Sequence, residues 1–414
     1  MGNICIFEDK RYTGLLPLVW VRTVYELRTG MRSLFEKITS NYKNTNVNLF
    51  CRDILKDVVK ERYDLAVNSK IDSDCLFING RLLMDKSIPI DGSEEIGINK
   101  EKDIVYIRLK KSNAKLITSD FILNCNLEKL RNTLKNVNVL ERDGVLINYP
   151  WDLVHYNPEQ IKEEFSKFCS SGGKIEGKVY EGVVIIDKKN LFIGKNAKIK
   201  PGVVIDNEEG PVYIDEDVLV EPNAVIRGPS YIGKKSIIRL GAKIREGTSI
   251  GEVCRIGGEV EESIIHSYSN KQHDGFLGHG YISMWCNLGA GTNNSDLKNN
   301  YGNVKVYVEG KLIDSGSMFV GLTMADHSKS GIGTTFNTGT VVGMSSNIFG
   351  EGYPPKFVPS FIWGGAKEFV PYTLDKAIDV ADKVMSRRKK QLTKSEQELF
   401  KKIFELTKSE RDGK

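Results

Sequence analysis

Residues 214–256 read IDEDVLVEPNAVIRGPSYIGKKSIIRLGAKIREGTSIGEVCRI, with isoleucine or valine at every sixth position. The aliphatic positions are Ile214, Val220, Ile226, Ile232, Ile238, Ile244, Ile250 and Ile256. A period of six matches neither the 3.6-residue period of a helix nor the two-residue alternation of a strand. It predicts that each repeat is one short strand followed by a corner, with a single side chain pointing into a narrow core. Three such strands would form one coil of a prism, and stacked coils would bury a continuous column.

The same spacing recurs on both sides of this segment. Further positions in the pattern are Ile193, Ile199 and Ile205, then Phe276, Ile282 and Leu288, and finally Phe336, Val342 and Ile348. A β-sandwich with regular strands is the alternative, but its turns recur at longer and uneven spacing. Two segments interrupt the pattern, residues 208–211 and the polar stretch 293–317. Loops that project from a rigid scaffold are where binding residues concentrate.

Length and composition restrict the class of protein. A chain of 414 residues exceeds what one small core needs, so we expect two or more domains. There is no run of about 18 apolar residues, which argues against a membrane span. The seven cysteines are scattered and never spaced as CxxC, a pattern that favours reduced thiols and a cytoplasmic location. The net charge of +5 suits small anionic molecules and is too weak to indicate a nucleic-acid partner.

The N-terminal part alternates strand and helix patterns. Strands are predicted at 3–8, 47–51, 75–79 and 104–109, and helices at 23–38, 52–63, 127–137 and 158–168. This order predicts an α/β layer with a mainly parallel sheet, of a reduced Rossmann type. Ser170-Ser171-Gly172-Gly173 marks a domain boundary. We therefore predict an α/β domain with a connector helix at 1–168, a β-helix at 174–365 and a helical tail at 371–414.

The helical tail contains a basic run, Arg387-Arg388-Lys389-Lys390. We predict helices at 374–390 and 394–408, from the apolar face that begins at Leu374. The basic run has two interpretations. It could bind phosphate or a membrane surface, or it could be a solvated helix end that the helix dipole favours.

Four of the five histidines fall within one stretch of the predicted column. They are His266, His273, His279 and His327. Imidazole titrates near neutral pH and suits a base that takes a proton from an amine or hydroxyl group. Their spacing matches no common metal-ligand motif, so we predict no metal site there. For each one, a structural role is as good an interpretation as a catalytic role.

The segments 269–278, SNKQHDGFLG, and 287–292, NLGAGT, resemble a known family. They are similar to the bifunctional UDP-N-acetylglucosamine pyrophosphorylase/glucosamine-1-phosphate N-acetyltransferase (GlmU-like) family, and above all to its divergent sugar nucleotidyltransferase relatives. The resemblance covers residues 174–350 well and the first half more weakly. It implies a left-handed parallel β-helix, a homotrimer, and acetyl-CoA bound as co-substrate between neighbouring subunits.

The resemblance assigns roles to several residues. It implies that His273 is the general base that deprotonates the acceptor amine as this amine attacks the thioester. It implies that Asn287 contacts the acceptor sugar and that Arg239 holds a phosphate, for which a guanidinium fork is well shaped. The remaining residues that it places near acceptor, phosphate or acetyl-CoA are Lys305, Ala290, Asn300 and Tyr301.

Departures from the family put the identity of the acceptor in doubt. Where the family offers a lysine to the sugar phosphate, this chain reads Gly258-Glu259-Val260-Glu261-Glu262, whose carboxylates would repel a phosphate. A tyrosine that helps to hold the acceptor is replaced by Phe276. These changes affect the substrate more than the acyl-transfer chemistry.

The first half carries an eroded nucleotide site. Its first loop, residues 8–14, has one glycine. Sugar nucleotidyltransferases need several backbone amides and a cation around the triphosphate. Arg11, Arg22 and Arg28 could replace the missing cradle, or they could belong to a solvated helix face. Asn79 stands where a metal-binding aspartate is expected, and an amide is a poorer Mg²⁺ ligand than a carboxylate. We predict no metal ligands, and Mg²⁺ remains a candidate only for nucleotidyl transfer.

Three hypotheses follow for the whole chain. The first is an enzyme of nucleotide-sugar synthesis that combines an acetyltransferase acting on an amino-sugar phosphate with a sugar-1-phosphate nucleotidyltransferase. The second is a nucleotidyltransferase only, with the β-helix as a trimerising scaffold. The third is a non-catalytic protein that binds nucleotide sugars.

Overall fold

The computed structural model describes residues 2–134, 136–170 and 172–412. The chain divides into two compact units, one formed by residues 1–27 and 32–149 and the other by residues 28–31 and 150–414. Ser171 of the expected boundary and the last two residues of the expected tail lie outside the described residues. The domain limits 1–168, 174–365 and 371–414 stay a prediction.

A seven-stranded sheet forms the centre of the first unit. In spatial order its strands are Ala66–Val67, Asn46–Phe50, Asn3–Phe7, Cys75–Asn79, Ile104–Leu109, Glu95–Ile98 and Asn138–Glu141. All pairings are parallel except the two made by Ile104–Leu109. The central strands are buried and rich in aliphatic residues, as expected for a sheet covered on both faces. The predicted mainly parallel α/β layer is confirmed.

The helix predicted at 23–38 is wrong. The structure has a 3-10 helix at Val24–Glu26, short strands at Arg28–Thr29 and Arg32–Ser33, and an α-helix at Leu34–Thr39. Thr23 and Glu26 close a capping box, but Gly30 then adopts φ +69°, a conformation that ends a helix. The apolar period alone could not reveal this break.

The other helices of the first unit are short. They are the 3-10 helices Lys10–Leu15 and Asp53–Leu55 and the α-helices Lys56–Arg62, Lys111–Ala114, Ser119–Leu123 and Leu127–Thr133. They confirm the predicted helix at 52–63 and the first two turns of the helix predicted at 127–137, which ends at Thr133; Lys135 lies outside the described residues.

The second unit is a column with three faces, in which the strands pair in parallel except for Ile362–Gly364 with Phe369–Pro371, which pair antiparallel. The first face has the strands Lys174–Ile175, Leu191–Ile193, Val212–Ile214, Ser230–Ile232, Thr248–Ile250, Ile264–Ile265, Tyr281–Ile282, Thr323–Met324, Val341–Val342 and Phe357–Val358. The second face has Lys178–Val179, Lys198–Ile199, Leu219–Val220, Ile237–Ile238, Arg255–Ile256, Asn270–Lys271, Asn287–Leu288, Lys329–Ser330, Asn347–Ile348, Ile362–Gly364 and Phe369–Pro371. The third face has Val184–Ile185, Val204–Asp206, Val225–Arg227, Lys243–Ile244, Glu259–Glu261 and Phe276–Gly278, and a further parallel pair joins Asn293–Asn294 to Thr335–Phe336.

Each repeat of the segment 214–256 places its predicted aliphatic residue in the column, and in the strands Leu191–Ile193 and Val212–Ile214 the first residue is buried in the same core as well. All eight aliphatic residues of the segment 214–256 are buried in this single core. Corner residues in the left-handed conformation recur every 18 residues, at Asp217, Lys235 and Val253, so one coil is three repeats long. This is the arrangement typical of a left-handed β-helix, and the predicted fold class is confirmed.

The register changes near His273. The spacing predicts Phe276 as an inward residue, but the structure places Leu277 in the core and leaves Phe276 half-buried. The inward residues after Ile256 are Val260, Ile265, Lys271, Leu277 and Ile282, so three of the steps are shorter than six residues, and the short step from Leu277 to Ile282 explains the offset at Phe276. The sequence hides this shift because the inward position at 271 is a lysine.

The second unit also contains helices and an inserted hairpin. The helices are Pro150–His155, Asn157–Phe168, Leu374–Ser386, Lys394–Leu406 and Lys408–Arg411. The polar interruption at 293–317 contains an antiparallel hairpin, Lys305–Val308 with Lys311–Asp314. Within the described residues, no helix combines the length and apolar character that crossing a bilayer requires.

Candidate functional site

A cavity of about 390 Å³ opens at the corners between the second and third faces of the column. Its lining comes from successive coils: Arg239, Leu240, Gly258, Gln272, His273, Asp274, Ala290 and Gly291. Three of the residues singled out from the sequence, His273, Arg239 and Ala290, therefore meet at one place. They are brought together by coil stacking, since they are far apart along the chain.

His273 lies at an outer corner and its side chain is exposed. It follows the strand Asn270–Lys271 by two residues, so the strand direction delivers it to the cavity rather than to the core. An exposed imidazole in a cavity can exchange a proton with a bound molecule, which a buried one in the column could not.

Lys271 holds the corner on which His273 sits. Its side chain enters the column, only 2% exposed, and its Nζ donates hydrogen bonds to the carbonyl oxygens of Gly257 (2.9 Å), His273 (3.2 Å) and Gly275 (2.6 Å). An ammonium group has three N–H donors, so the three carbonyls satisfy it fully. Two of these carbonyls belong to the His273 corner itself. The backbone of that corner is thereby fixed from inside.

Burial changes the acidity of Lys271. Removal of the ammonium from water lowers its pKa to about 8, and the nearby carboxylates of Asp274 and Glu259 only partly oppose this. The site also requires Gly258, because a Cβ there would lie 2.6 Å from Nζ and the residue has φ +68°. The corner thus depends on one buried cation and one glycine.

Arg239 is paired within the chain. Its Nη1 lies 2.9 Å from Oε1 of Glu221, and the other carboxylate oxygen of Glu221 accepts a hydrogen bond from the N–H of Leu240 at 3.0 Å. The guanidinium is 40% exposed, so part of its fork faces the solvent. Its positive charge is nevertheless partly compensated before any phosphate arrives.

Ala290 occupies the next corner above His273. The N–H of Gly291 donates to the carbonyl of Asp274 at 2.9 Å, which ties the two corners together. In the described part of the chain, the N–H of Ala290 has no hydrogen-bond acceptor. A free backbone donor in a cavity can stabilise negative charge that develops on a carbonyl oxygen.

Asn287 lies on the outer side of the second face. It is exposed and stands opposite Asn270 in the parallel register, and neither residue lines the cavity. Asn287 is therefore near the His273 corner along the column but outside the pocket of a single chain.

Asn300, Tyr301 and Lys305 belong to the inserted segment, and none of them lines the cavity. Tyr301 is 69% exposed, and the side chain of Asn300 accepts a hydrogen bond from the N–H of Gly302 at 3.1 Å. Lys305 is exposed at the start of the hairpin, and its carbonyl accepts a hydrogen bond from Lys356 Nζ at 3.1 Å. One chain does not bring these residues to His273.

A second buried cation anchors the inserted segment. His279 donates from Nδ1 to Asp296 at 2.8 Å and from Nε2 to Glu262 at 3.2 Å, and its ring stacks on Phe319. Burial by itself lowers the pKa of His279, but the hydrogen bonds to Asp296 and Glu262 outweigh it and raise the pKa to about 9. The imidazole is therefore a permanent cation near neutral pH and serves a structural role.

The three arginines predicted for nucleotide binding do not share one environment. Arg11 is exposed in the first unit, with a long contact of 3.5 Å to Asp103. Arg22, also in the first unit, is only 2% exposed and donates to the carbonyl of Leu18. Arg28 belongs to the second unit, where it is buried and donates to the carbonyl of Met31. Their nucleotide-binding role stays a prediction.

The position expected for a metal-binding aspartate is filled by an internal ion pair. Arg81 is fully buried and donates from Nε and Nη2 to both carboxylate oxygens of Asp9, at 2.9 and 2.7 Å. The amide of Asn79 also donates to Asp9, at 2.8 Å. Asp9 is thus neutralised by a guanidinium, and Asn79 turns its donor rather than an oxygen toward it. These residues do not fit a Mg²⁺ ion.

The neighbouring acid is engaged in the same way. Glu8 is buried and forms a two-pronged ion pair with Arg52, whose guanidinium also contacts the backbone carbonyls of Val19 and Arg22. Among the described residues, no group of three or more His, Cys, Asp or Glu side chains is placed to hold a metal ion.

Comparison with known proteins confirms the resemblance seen in the sequence. Residues 4–171 match the family model described as sugar nucleotidyl transferase. The chain is 26% identical over 363 residues to a bifunctional sugar-1-phosphate nucleotidylyltransferase/acetyltransferase of Sulfurisphaera tokodaii, with 80% of this chain and 88% of that protein covered. It is 25% identical over 257 residues to the bifunctional protein GlmU of Clostridium novyi, but it spans only 53% of that relative.

Among solved structures, the chain has a match to the UDP-N-acetylglucosamine acyltransferase of Francisella novicida. The match has 16% sequence identity and a TM-score of 0.28, and covers 56% of this chain and 91% of that one.

Several important residues escaped the sequence analysis. Lys271 does not continue the apolar period, so the spacing does not indicate that it lies inside the column. Arg81, two residues after Asn79, has no sequence pattern that indicates a buried ion pair. The pairing of Arg388 with Asn270 joins residues 118 positions apart, and no local pattern could indicate it.

Proposed function

We propose that the chain is a bifunctional transferase of nucleotide-sugar synthesis. The β-helix transfers an acetyl group from acetyl-CoA to the amine of an amino-sugar phosphate, and the N-terminal α/β unit joins a sugar 1-phosphate to a nucleotide. The observation that carries the acetyl transfer is the exposed imidazole of His273 in a cavity shared with Arg239 and Ala290. The bifunctional relative of S. tokodaii, most of whose length is covered, supports the combination of activities.

In the acetyl transfer, the amine nitrogen of the acceptor attacks the thioester carbonyl carbon. A C–N bond forms, the C–S bond breaks, and the CoA thiolate leaves. His273 accepts the proton that the amine loses and can pass it to the leaving sulfur, so that the imidazole ends as it began. Ala290 lines the cavity and its N–H has no acceptor among the described residues, so this N–H would donate to the thioester oxygen as negative charge develops on it.

In the nucleotidyl transfer, an oxygen of the sugar phosphate attacks the α-phosphorus of a nucleoside triphosphate and pyrophosphate leaves. The family model over residues 4–171 supports this activity. Arg11 is the most accessible of the three predicted phosphate contacts. Because the residues around Asp9 do not fit Mg²⁺, we assign no step to a metal in this unit.

A homotrimer would complete the acetyl-transfer site. The cavity of one chain lacks Asn287, Asn300, Tyr301 and Lys305. Large apolar side chains are exposed at the same row of corners, with Leu240 at 66% and Ile332 at 86%. Exposed apolar residues of this kind mark surfaces that associate. Sedimentation equilibrium of the purified protein should give three times the chain mass, and Ile332→Glu should reduce it.

The acetyl transfer is tested by thiol release from acetyl-CoA with a panel of amino-sugar phosphates. We expect release with at least one acceptor, and a fall in kcat of roughly a hundredfold to ten-thousandfold for His273→Ala, the range for loss of a general base. Lys188→Ala, at an exposed position outside the cavity, is the control and should behave like the unchanged protein. No thiol release with any acceptor would remove the acetyltransferase proposal.

The nucleotidyl transfer is tested separately, by pyrophosphate release from nucleoside triphosphates with sugar 1-phosphates. One observation favours a different outcome, namely a unit that binds nucleotide sugars without turnover. The Asp9–Arg81 pair occupies the place where catalytic metal binding is expected. Tight binding of a nucleotide sugar without pyrophosphate release, with or without Mg²⁺, would favour that function over catalysis.

A further inference from the structure

The outer side of the second face carries a polar row close to the His273 corner. Arg255 stands opposite Asn270 in the parallel register, Asn270 stands opposite Asn287, and Asn287 stands opposite Lys329. Neighbouring strands in a sheet are separated by about 5 Å, so Arg255 and Asn287 are about 10 Å apart along the column. The row therefore extends from Asn287, the predicted acceptor contact, to the cation of Arg255.

The tail helix adds a second cation to this row. Arg388, just beyond the helix Leu374–Ser386, donates from Nη2 to the side-chain oxygen of Asn270 at 3.1 Å. This bond fixes the guanidinium of Arg388 over the strand that neighbours Arg255. Both arginines are half-buried, whereas Lys389 and Lys390 at the end of the basic run are exposed.

Among the described residues, these cations have no carboxylate partner, unlike other arginines of the column. Arg239 is paired with Glu221, and Arg245 contacts three carboxylates. In the part of the chain that the structure describes, no carboxylate lies within 4 Å of the arginines at 255, 387 and 388. Burial lowers the pKa of Arg388, and the charges of Arg255 and Arg387 lower it further. Repulsion between half-buried cations is unfavourable unless an anion joins them.

We propose that Arg255, Asn270 and Arg388 form a binding site for a phosphate or diphosphate group of a molecule that reaches the His273 corner. The inference rests on the proposed acetyl transfer and specifies where its phosphorylated substrate is held. Two guanidinium forks can grip phosphate oxygens, and Asn270 orients one of them. The span of about 10 Å to Asn287 suits a ligand with a phosphate at one end and a sugar at the other.

The site also accounts for a departure from the family pattern. The carboxylates of Glu259, Glu261 and Glu262 stand where a lysine would hold the sugar phosphate, and they are engaged with Arg245 and His279. Arg255 and Arg388 supply positive charge on a different face of the same coils. In this chain, the phosphate of the substrate is therefore bound on the second face and not at the position that the family's lysine occupies.

The experiment compares two double variants, each of which removes two positive charges. Arg255→Gln/Arg388→Gln removes the proposed site, and Lys389→Gln/Lys390→Gln removes two exposed charges from the same basic run. Isothermal calorimetry with inorganic pyrophosphate on the full chain should show affinity lower by roughly tenfold or more for the first variant, since it loses at least one charge-assisted contact. The second should change affinity by less than about twofold. Equal losses, or none, would overturn the site.

Thermal unfolding separates binding from a structural role. Removal of mutually repelling cations should leave Tm unchanged or raise it in the arginine variant, and pyrophosphate should raise Tm only in proteins that keep both arginines. A variant that unfolds at a lower temperature but keeps its pyrophosphate affinity would show a structural cluster and overturn the proposal. Equal binding of sulfate and pyrophosphate would show an adventitious ion only and would also overturn it.

Acetyl-transfer kinetics identify the source of the phosphate. A raised KM for the amino-sugar phosphate assigns the site to the acceptor, and a raised KM for acetyl-CoA assigns it to the phosphates of the co-substrate. Should the unchanged protein release no thiol while pyrophosphate binding still depends on Arg255 and Arg388, the anion site stands and the acetyltransferase proposal falls. The two failures are therefore distinguishable.

Discussion

Two buried cations in the β-helix are held in opposite ways. Lys271 is surrounded by three backbone carbonyls, whose partial charges do not outweigh the loss of water, and its pKa falls to about 8. His279 is held by the carboxylates of Asp296 and Glu262, and its pKa rises to about 9 although it is buried. Backbone carbonyls orient a buried cation, whereas carboxylates also raise its pKa and so keep it charged near neutral pH.

The two cations lie where the chain departs from its repeat. Lys271 supports the corner of His273, which follows a shift in register, and His279 bonds to Asp296 at the base of the inserted segment. Apolar burial alone favours a regular repeat and does not specify the conformation of one irregular corner. Directional bonds from inside the column supply that specificity, at some cost in desolvation.

The largest expected effect comes from His279→Ala. It leaves the half-buried carboxylates of Asp296 and Glu262 without their shared cation, which should lower the free energy of unfolding of the β-helix by about 3 kcal/mol near pH 6. Urea unfolding followed by circular dichroism measures this. His273→Ala is a matched control, because that exposed histidine should change stability by less than about 0.5 kcal/mol. Equal losses in both variants would show that the His279 ion pairs contribute nothing special.

The two cations should give opposite pH dependence. The pKa of His279 is raised from 6.5 to about 9, so its contribution is complete below pH 6.5 and is lost as the pH rises to about 9. The pKa of Lys271 is lowered from 10.5 to about 8, so the unfolded chain binds the proton more tightly and stability rises between these pH values. Across its own pH range, each group changes the free energy of unfolding by roughly 3 kcal/mol.

Unfolding free energies at pH 6, 7.5, 9 and 10 test whether His279 and Lys271 change stability in opposite directions as the pH rises. The difference between the unchanged protein and His279→Ala should shrink up to pH 9, and the difference from Lys271→Met should grow above pH 8. Parallel curves for the three proteins would show that neither buried cation has a shifted pKa.

The smallest expected effect on stability comes from Lys271→Met. Three carbonyls lose their donor, but methionine suits an apolar column, so we expect a loss of about 2 kcal/mol. The local effect should be clearer, with faster amide hydrogen exchange across residues 272–276 and a lower kcat for acetyl transfer. Ile199→Met, at the same inward position on the same face, is the control. Unchanged exchange at the corner would rule out a positioning role for Lys271.

Most of the second unit could be predicted because its period is a local property. Each aliphatic residue from Ile214 to Ile256 is inward for the same reason, and neighbours in the sequence reveal the spacing. Prediction failed where the period was interrupted, as at Phe276, whose expected place is taken by Leu277. It also failed at residues 23–38, where Gly30 broke a helix that the apolar pattern allowed.

The candidate site was predictable only in part. Similarity to a family indicated His273, and the structure places it in a cavity with Arg239 and Ala290. The bonds from Lys271 and the approach of Arg388 to Asn270 could not be predicted, since they join groups through space and depend on the register of stacked coils.

By itself, the sequence determined a column of six-residue repeats that follows an α/β unit along the chain, because a buried aliphatic side chain in every repeat can be recognised from spacing alone. Only the tertiary structure decided which polar groups meet. It paired Asp9 with Arg81 and enclosed Lys271 and His279 in unlike surroundings. It also brought Arg388 to Asn270, beside the strand of Arg255, with no carboxylate within 4 Å of either arginine in the described ranges. The physical reason is that hydrophobic burial depends on how much apolar surface is covered, whereas electrostatic partners depend on distance and direction, which are fixed once the chain has folded.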